Sequence, residues 1–147
     1  MDKKRTIHEV AFRLSYDLTT QIAPKLSNLK TKPSPLQLRA MRQIWTNNNS
    51  TLLDLAKTLK RDKGQVTRLV GELCDMQLVE RIPNPNDGRS KLLSLTKKGH
   101  EFFTSIEKIE EEFSERLKVG ISQEDLDTFF AVSDKLSENL RELVDPN

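Results

Sequence analysis

Cysteine is almost missing from this 147-residue sequence: Cys74 stands alone, so no disulfide can form within the chain. That fits a reducing cytosol. Long apolar runs are missing as well, and none approaches the roughly 20 residues that cross a bilayer. Lys3, Lys4 and Arg5 lead into mixed polar sequence instead of the apolar stretch of a secretory leader. Residues 46–101 contain no Phe, Tyr or Trp, which removes the stacking platforms on which RNA and single strands are usually held. The two histidines, His8 and His100, are far apart, and there is no HExxH, paired-cysteine, GxSxG or phosphate-loop pattern. Glu110-Glu111-Glu112 reads as a solvated helix face, not a catalytic cluster. The expectation is a soluble, cytoplasmic chain that is not an enzyme, with no metal, no cofactor and no membrane partner.

What is present is a charge gradient. Lys and Arg outnumber Asp and Glu by nine to three in residues 1–50 and by ten to six in residues 51–100; residues 101–147 reverse this, five to thirteen. The overall +2 therefore hides a basic two-thirds and an acidic tail. Such a split points to a polyanion partner for the basic part. With 35% apolar and 31% charged residues, the chain has the composition and length of a single core-forming domain.

Hydrophobic periodicity orders the elements. Ile7, Ala11, Leu14, Leu18 and Ile22 make one stripe on a helix over about 6–23, with Pro24 expected to stop it. Ser34-Pro35-Leu36-Gln37 is a capping-box helix start, followed by an apolar face of Leu36, Ala40, Met41, Ile44 and Trp45 and an Asn47-Asn48-Asn49 stop. Thr51 and Asp54 open a short helix through Leu55, Ala56 and Leu59. Asp62 caps the next, whose stripe is Val66, Leu69, Val70 and Leu73. Residues 78–83 and 91–95 then read as two strands around a turn-rich loop. Thr96 starts a long helix with Phe102, Ile106, Ile109, Phe113 and Leu117 on one face, ended by Gly120. Ser122 and Asp125 open a last helix bearing Leu126, Phe129, Phe130, Leu136, Leu140 and Leu143.

Two short helices three residues apart, followed by a basic hairpin, describe a winged helix-turn-helix. The fold class expected is mainly α (α+β), with the winged motif over about 34–98 between long terminal helices. The stripe of the second short helix turns Lys63, Gly64, Gln65, Thr67, Arg68 and Gly71 outward. These are cations for phosphates, an amide able to read adenine, and a threonine for phosphate or a thymine methyl. The two glycines let backbone approach DNA closely. In the hairpin, Arg89 is long enough to enter a minor groove, with Lys91 beside it and Asp87 placed to hold the guanidinium extended. The plainer alternative is an Asp87–Arg89 surface pair.

Leu55-Ala56, Val66-Thr67-Arg68-Leu69-Val70, Leu78-Val79-Glu80-Arg81, Asn86-Asp87-Gly88-Arg89 and Leu95-Thr96-Lys97-Lys98-Gly99 together resemble the MarR (multiple antibiotic resistance regulator) family, whose signature is an Asp-x-Arg wing and a Leu-Thr-x-x-Gly helix start. The resemblance implies one domain over 1–147, with dimerisation helices about 6–30 and 100–145. It also implies a triangular homodimer on a pseudo-palindromic double-stranded DNA operator, usually a repressor, often released when a small-molecule effector enters a cleft between the dimerisation and DNA-binding regions. Met76-Gln77 departs from the usual Lys-Gly after the recognition helix, implying a looser turn, and Gly88 replaces a frequent basic residue. The alternative function is a winged-helix protein-interaction module without sequence-specific DNA binding.

Three residues carry further expectations. Cys74 follows the apolar stripe by one position and reads as a small buried hydrophobe, since no second cysteine can resolve a sulfenate. Tyr16 and Trp45 are candidates to line an effector cleft, and ordinary helical-core aromatics equally well.

Overall fold

A computed structural model describes residues 5–144 and, for Val144, the backbone only; Lys3, Lys4 and the last three residues of the expected domain lie outside the described residues. The order is α1 (Ile7–Leu26), α2 (Pro35–Thr46), α3 (Leu52–Leu59), α4 (Lys63–Asp75), β1 (Val79–Pro83), β2 (Lys91–Leu95), α5 (Lys97–Leu117) and α6 (Gln123–Val144). The chain divides into two compact units, Met1–Glu110 and Glu111–Asn147.

In the first unit, caps set the helix starts. Ser34 with Gln37 and Thr51 with Asp54 form reciprocal capping boxes, and Asp62 accepts the Gln65 N–H. Each satisfies backbone donors that a helix start leaves open. The core then closes where α2, α3 and α4 meet the sheet: Met41, Ile44, Leu55, Val66, Val70, Leu73, Leu78 and Leu93 are all fully buried. Val79 to Pro83 pairs antiparallel with Leu95 to Lys91. A third short segment joins through the Thr51–Leu92 bridge and the Leu93 N–H donating to the Ser50 carbonyl at 2.8 Å. The wing is therefore sewn to the start of α3.

Three expectations about the helices change. Pro24 does not stop α1, which runs on to Leu26. Proline this late removes one bond of the last turn, and the end is closed beyond it by Ser27, whose N–H donates to Ala23 O and whose hydroxyl donates to Pro24 O. On α5 the deep residue is Phe103, 1% exposed, with Gly99 and Ile106; Phe102 is half-buried on the neighbouring face. Phe103 also receives the Arg42 guanidinium over its ring at 5.3 Å, while Arg42 Nη2 donates to both Glu110 oxygens at 2.7 and 2.9 Å. Finally, α5 ends at Leu117 and Gly120 lies in the following turn, at φ 79°.

No residue of α1 is buried, and Ile7, Phe12 and Tyr16 are each more than 60% exposed. In the second unit, Ser122 and Asp125 cap α6 as expected, with the Asp125 N–H donating to Ser122 Oγ at 3.1 Å. Phe129, Phe130, Leu140 and Leu143 on α6 are exposed.

Candidate nucleic-acid interface

The turn between α3 and α4 is tight because Lys60 takes a left-handed conformation, φ 52°. Its N–H donates to Lys57 O and the Arg61 N–H to Ala56 O, a Schellman closure of α3. Asp62 then starts α4 at once. The inner face of α4, Val66, Leu69, Val70 and Leu73, is buried, and Lys63, Gly64, Gln65, Thr67 and Arg68 are all exposed, as the periodicity predicts. Among the described residues, the side chains of Lys63 and Gln65 meet no hydrogen-bond or ion-pair partner. Thr67 Oγ1 donates to Lys63 O at 2.7 Å, so its hydroxyl hydrogen is spent on its own helix. Arg68 Nε donates to Glu72 Oε1 at 3.2 Å. Gly71 has nothing within 4 Å of where a Cβ would stand; the fold gives no reason for glycine there.

The loop between β1 and β2 is a pair of turns. Asn84 Nδ2 donates to Ser90 Oγ at 2.9 Å across its base, and the Asn86 N–H donates to Asn84 Oδ1 at 3.0 Å. The Arg89 N–H donates to Asp87 Oδ1 at 2.9 Å. This corrects the expected role of Asp87, which holds the Arg89 backbone and not its guanidinium. A short carboxylate reaches the amide two residues on within an Asx turn, and no ion pair joins the two side chains. Arg89 and Lys91 are exposed, and among the described residues the guanidinium meets no carboxylate.

Residues 34–91, from the Ser34 cap to the wing, match the MarR family model. Over that segment the chain is similar to the MarR family. It is 33% identical over 79 residues to the HTH-type transcriptional regulator BilQ of Clostridioides difficile, covering 54% of this chain and 53% of BilQ. It is 43% identical over 63 residues to the multiple antibiotic resistance protein MarR of Salmonella typhimurium, covering 43% of this chain and 44% of that protein. The chain thus matches about half the length of these curated relatives. The solved structure of Streptococcus pneumoniae FabT in complex with DNA aligns with a TM-score of 0.76 at 20% identity, covering 94% of this chain and 99% of FabT. That likeness is one of fold.

The structure differs from the expectation at Met76-Gln77, where the turn is not loose. Gln77 takes φ 61°, its N–H donates to Cys74 O and the Leu78 N–H to Leu73 O. These two bonds make a full Schellman closure of α4. Thr96 Oγ1 donates to Gln77 O at 2.6 Å and accepts the Gly99 N–H at 2.9 Å. One threonine thus ties the end of α4 to the start of α5. The hydrogen bonds hold a glutamine where glycine would sit without strain.

Sequence reasoning missed three residues around α4. Arg61 lines a shallow depression with Gln65, Arg68 and Glu72; its place after the α3 stop was the available signal. Glu72 was legible as an (i, i+4) partner of Arg68. Gln37, read as a cap alone, also donates from Nε2 to Glu72 Oε2 at 2.9 Å.

An apolar cavity of about 330 Å³ lies between the end of α1, the segment 27–33, the start of α2 and α5, lined among others by Ile22, Leu26, Pro33, Leu38, Phe102 and Ile106. Neither proposed aromatic lines it. Tyr16 is exposed, and Trp45 packs on His100 and Phe103 with ring centroids 5.1 and 5.2 Å apart. Cys74 is half-buried, and burial pushes its thiol up while the Arg81 charge pulls it back; a protonated thiol is a poor nucleophile. No described group of three His, Cys, Asp or Glu side chains is placed to hold a metal ion, and no described helix is long and apolar enough to cross a membrane.

Proposed function

We propose that this chain is a sequence-specific double-stranded DNA-binding transcriptional regulator of the cytoplasm, acting as a homodimer on a pseudo-palindromic operator. The observation that carries this is the outer face of α4, where Lys63, Gln65 and Arg68 project from a helix whose inner face is fully packed. A helix rigidly held on one side and polar on the other is the element that enters a major groove. Gln65 offers the amide that pairs with adenine, Lys63 meets phosphates, and Thr67 presents its methyl to thymine. Arg89 and Lys91 on the wing add cations for the neighbouring groove and backbone. The exposed apolar faces of α1 and α6 meet those of a second copy across a two-fold axis, which supplies the symmetry an inverted repeat requires.

The reading assigns no catalytic step, metal or cofactor. It assigns repression, relieved when a small apolar molecule fills the cavity beside α2. A volume of about 330 Å³ sits at the lower end of the range for small-molecule sites, roughly 300–1,000 Å³. The test is a mobility shift of duplexes from the chain's own upstream region, with a scrambled duplex as competitor and sedimentation at the same concentration. Specific retardation by a dimer supports the reading. Retention of no duplex, at any salt concentration, would favour the protein-interaction module.

A further inference from the structure

Arg68 and Glu72 form an exposed ion pair, and what stands behind it gives it a function. Glu72 accepts Arg68 Nε on Oε1 at 3.2 Å and Gln37 Nε2 on Oε2 at 2.9 Å. Gln37 is itself fixed: it is 9% exposed, its Oε1 accepts the Ser34 N–H at 2.8 Å, and its own N–H donates to Ser34 Oγ at 3.2 Å. The carboxylate is therefore braced against the first turn of α2 and does not follow Arg68 as that side chain moves. A guanidinium held by Nε has its plane set and keeps its Nη donors for a second partner. Arg68 is 85% exposed at its side chain. Gly64, four residues before it, and Gly71, three after, leave the same face bare.

Two acceptor pairs in DNA fit such a fork, the oxygens of a phosphate and the N7/O6 edge of guanine. The carboxylate decides between them. It offsets the positive charge that a phosphate selects and repels a phosphate directly, whereas the guanine edge is neutral and rewards fork geometry. Resting on the DNA-binding reading above, we infer that Arg68 reads a guanine in the major groove, and that Glu72, braced by Gln37, is the positioning residue that makes it a base reader instead of a phosphate anchor. This reverses the phosphate role that residue type alone assigns to Arg68.

The experiment is selection from duplexes with a randomised core by the full chain, followed by binding of the selected and a scrambled duplex over a salt series. The variants are Arg68→Lys, Glu72→Ala, Gln37→Glu and the double exchange Gln37→Glu/Glu72→Gln, each with a melting curve. The wild type should enrich a guanine in each half-site. Arg68→Lys keeps the charge without the fork and should lose that guanine preference by about tenfold. Glu72→Ala should lose it at the same position, and its freed cation should steepen the salt slope on scrambled duplex by about one unit. Gln37→Glu retains a capping-box acceptor but sets two carboxylates together, and should behave like Glu72→Ala. The double exchange keeps an amide–carboxylate bond between the two positions but leaves a neutral acceptor beside Arg68, so it should fold like the wild type and still lose the preference. A wild type that enriches no motif overturns both this inference and the proposed function. A motif whose guanine survives Glu72→Ala, Arg68→Lys or the double exchange unchanged overturns this inference alone.

Discussion

Gly99 lies against the carbonyl of Leu78 so closely that a Cβ at residue 99 would fall well inside the radius of the oxygen. The carbonyl cannot retreat, because it accepts the Thr96 N–H at 3.1 Å. Replacing glycine by alanine within a helix normally stabilises by up to ~1 kcal/mol. Here the sign should reverse: Gly99→Ala should destabilise by about 1–3 kcal/mol or more, the range for overpacking. Gly71→Ala, with open space around it, should follow the ordinary rule and stabilise the fold while weakening DNA binding. Urea unfolding of both variants, with duplex titrations of Gly71→Ala, checks the pair.

Gln77 occupies a conformation that costs a side-chain-bearing residue about 1–2 kcal/mol and glycine little. Gln77→Gly should therefore raise stability by about 1 kcal/mol after the extra flexibility of the unfolded chain is set against it. Its hydrogen bonds from Thr96 Oγ1 and to Cys74 O use only the backbone, so the substitution leaves them in place. A melting temperature at or below that of the wild type would contradict this.

The Thr51 backbone N–H, then its hydroxyl and the Lys57 charge, hold the Asp54 carboxyl below the usual carboxylate range. A group with a depressed folded-state value stabilises above its unfolded value, and that contribution disappears as pH falls through the folded value. Asp54→Asn keeps an acceptor oxygen and does not titrate. Its stability deficit should be present at neutral pH and shrink in acid, below the usual aspartate range. Unfolding curves for the two proteins over a pH series would show it; a constant deficit would not fit.

Asp87 and Arg89 give a test of sign. Arg89→Ala should reduce the steepness of the salt dependence by about one unit and leave unfolding unchanged. Asp87→Ala removes a negative charge, which alone would favour DNA. Because Asp87 orders the backbone of Arg89, its loss should weaken binding instead. Titrations of both variants at several salt concentrations separate the two effects, and tighter binding by Asp87→Ala would sink the ordering role.

Much of this fold was legible because its signals are local. Asp62 followed by Val66, Leu69, Val70 and Leu73 gives both a cap and a period, and these fixed which face of α4 points outward. The unreadable parts depend on geometry between segments. A left-handed glutamine at residue 77 has no mark in the sequence when glycine is absent. Phe102 and Phe103 are adjacent on a helix, about 100° apart, so either stripe satisfied the pattern until α2 supplied Trp45 and Arg42 to one of them. Gln37 could be read as a cap from Ser34-Pro35-Leu36-Gln37, but its bond to Glu72, 35 residues away, needed the fold. The exposed cations of α4 and the wing were found by residue type, and their pairing was not.

Trp45 is the only tryptophan in the chain, and it sits edge-on to His100 and tilted against Phe103 at the α2–α5 junction. The protein's indole fluorescence is consequently a single-site signal, unlabelled and native, from the place where those two helices touch. Phe102, the residue just before Phe103 on α5, lines the apolar cavity. A compound that settles there and shifts α5 against α2 alters the ring geometry around the fluorophore, and so announces its own arrival in a cuvette before any operator has been found.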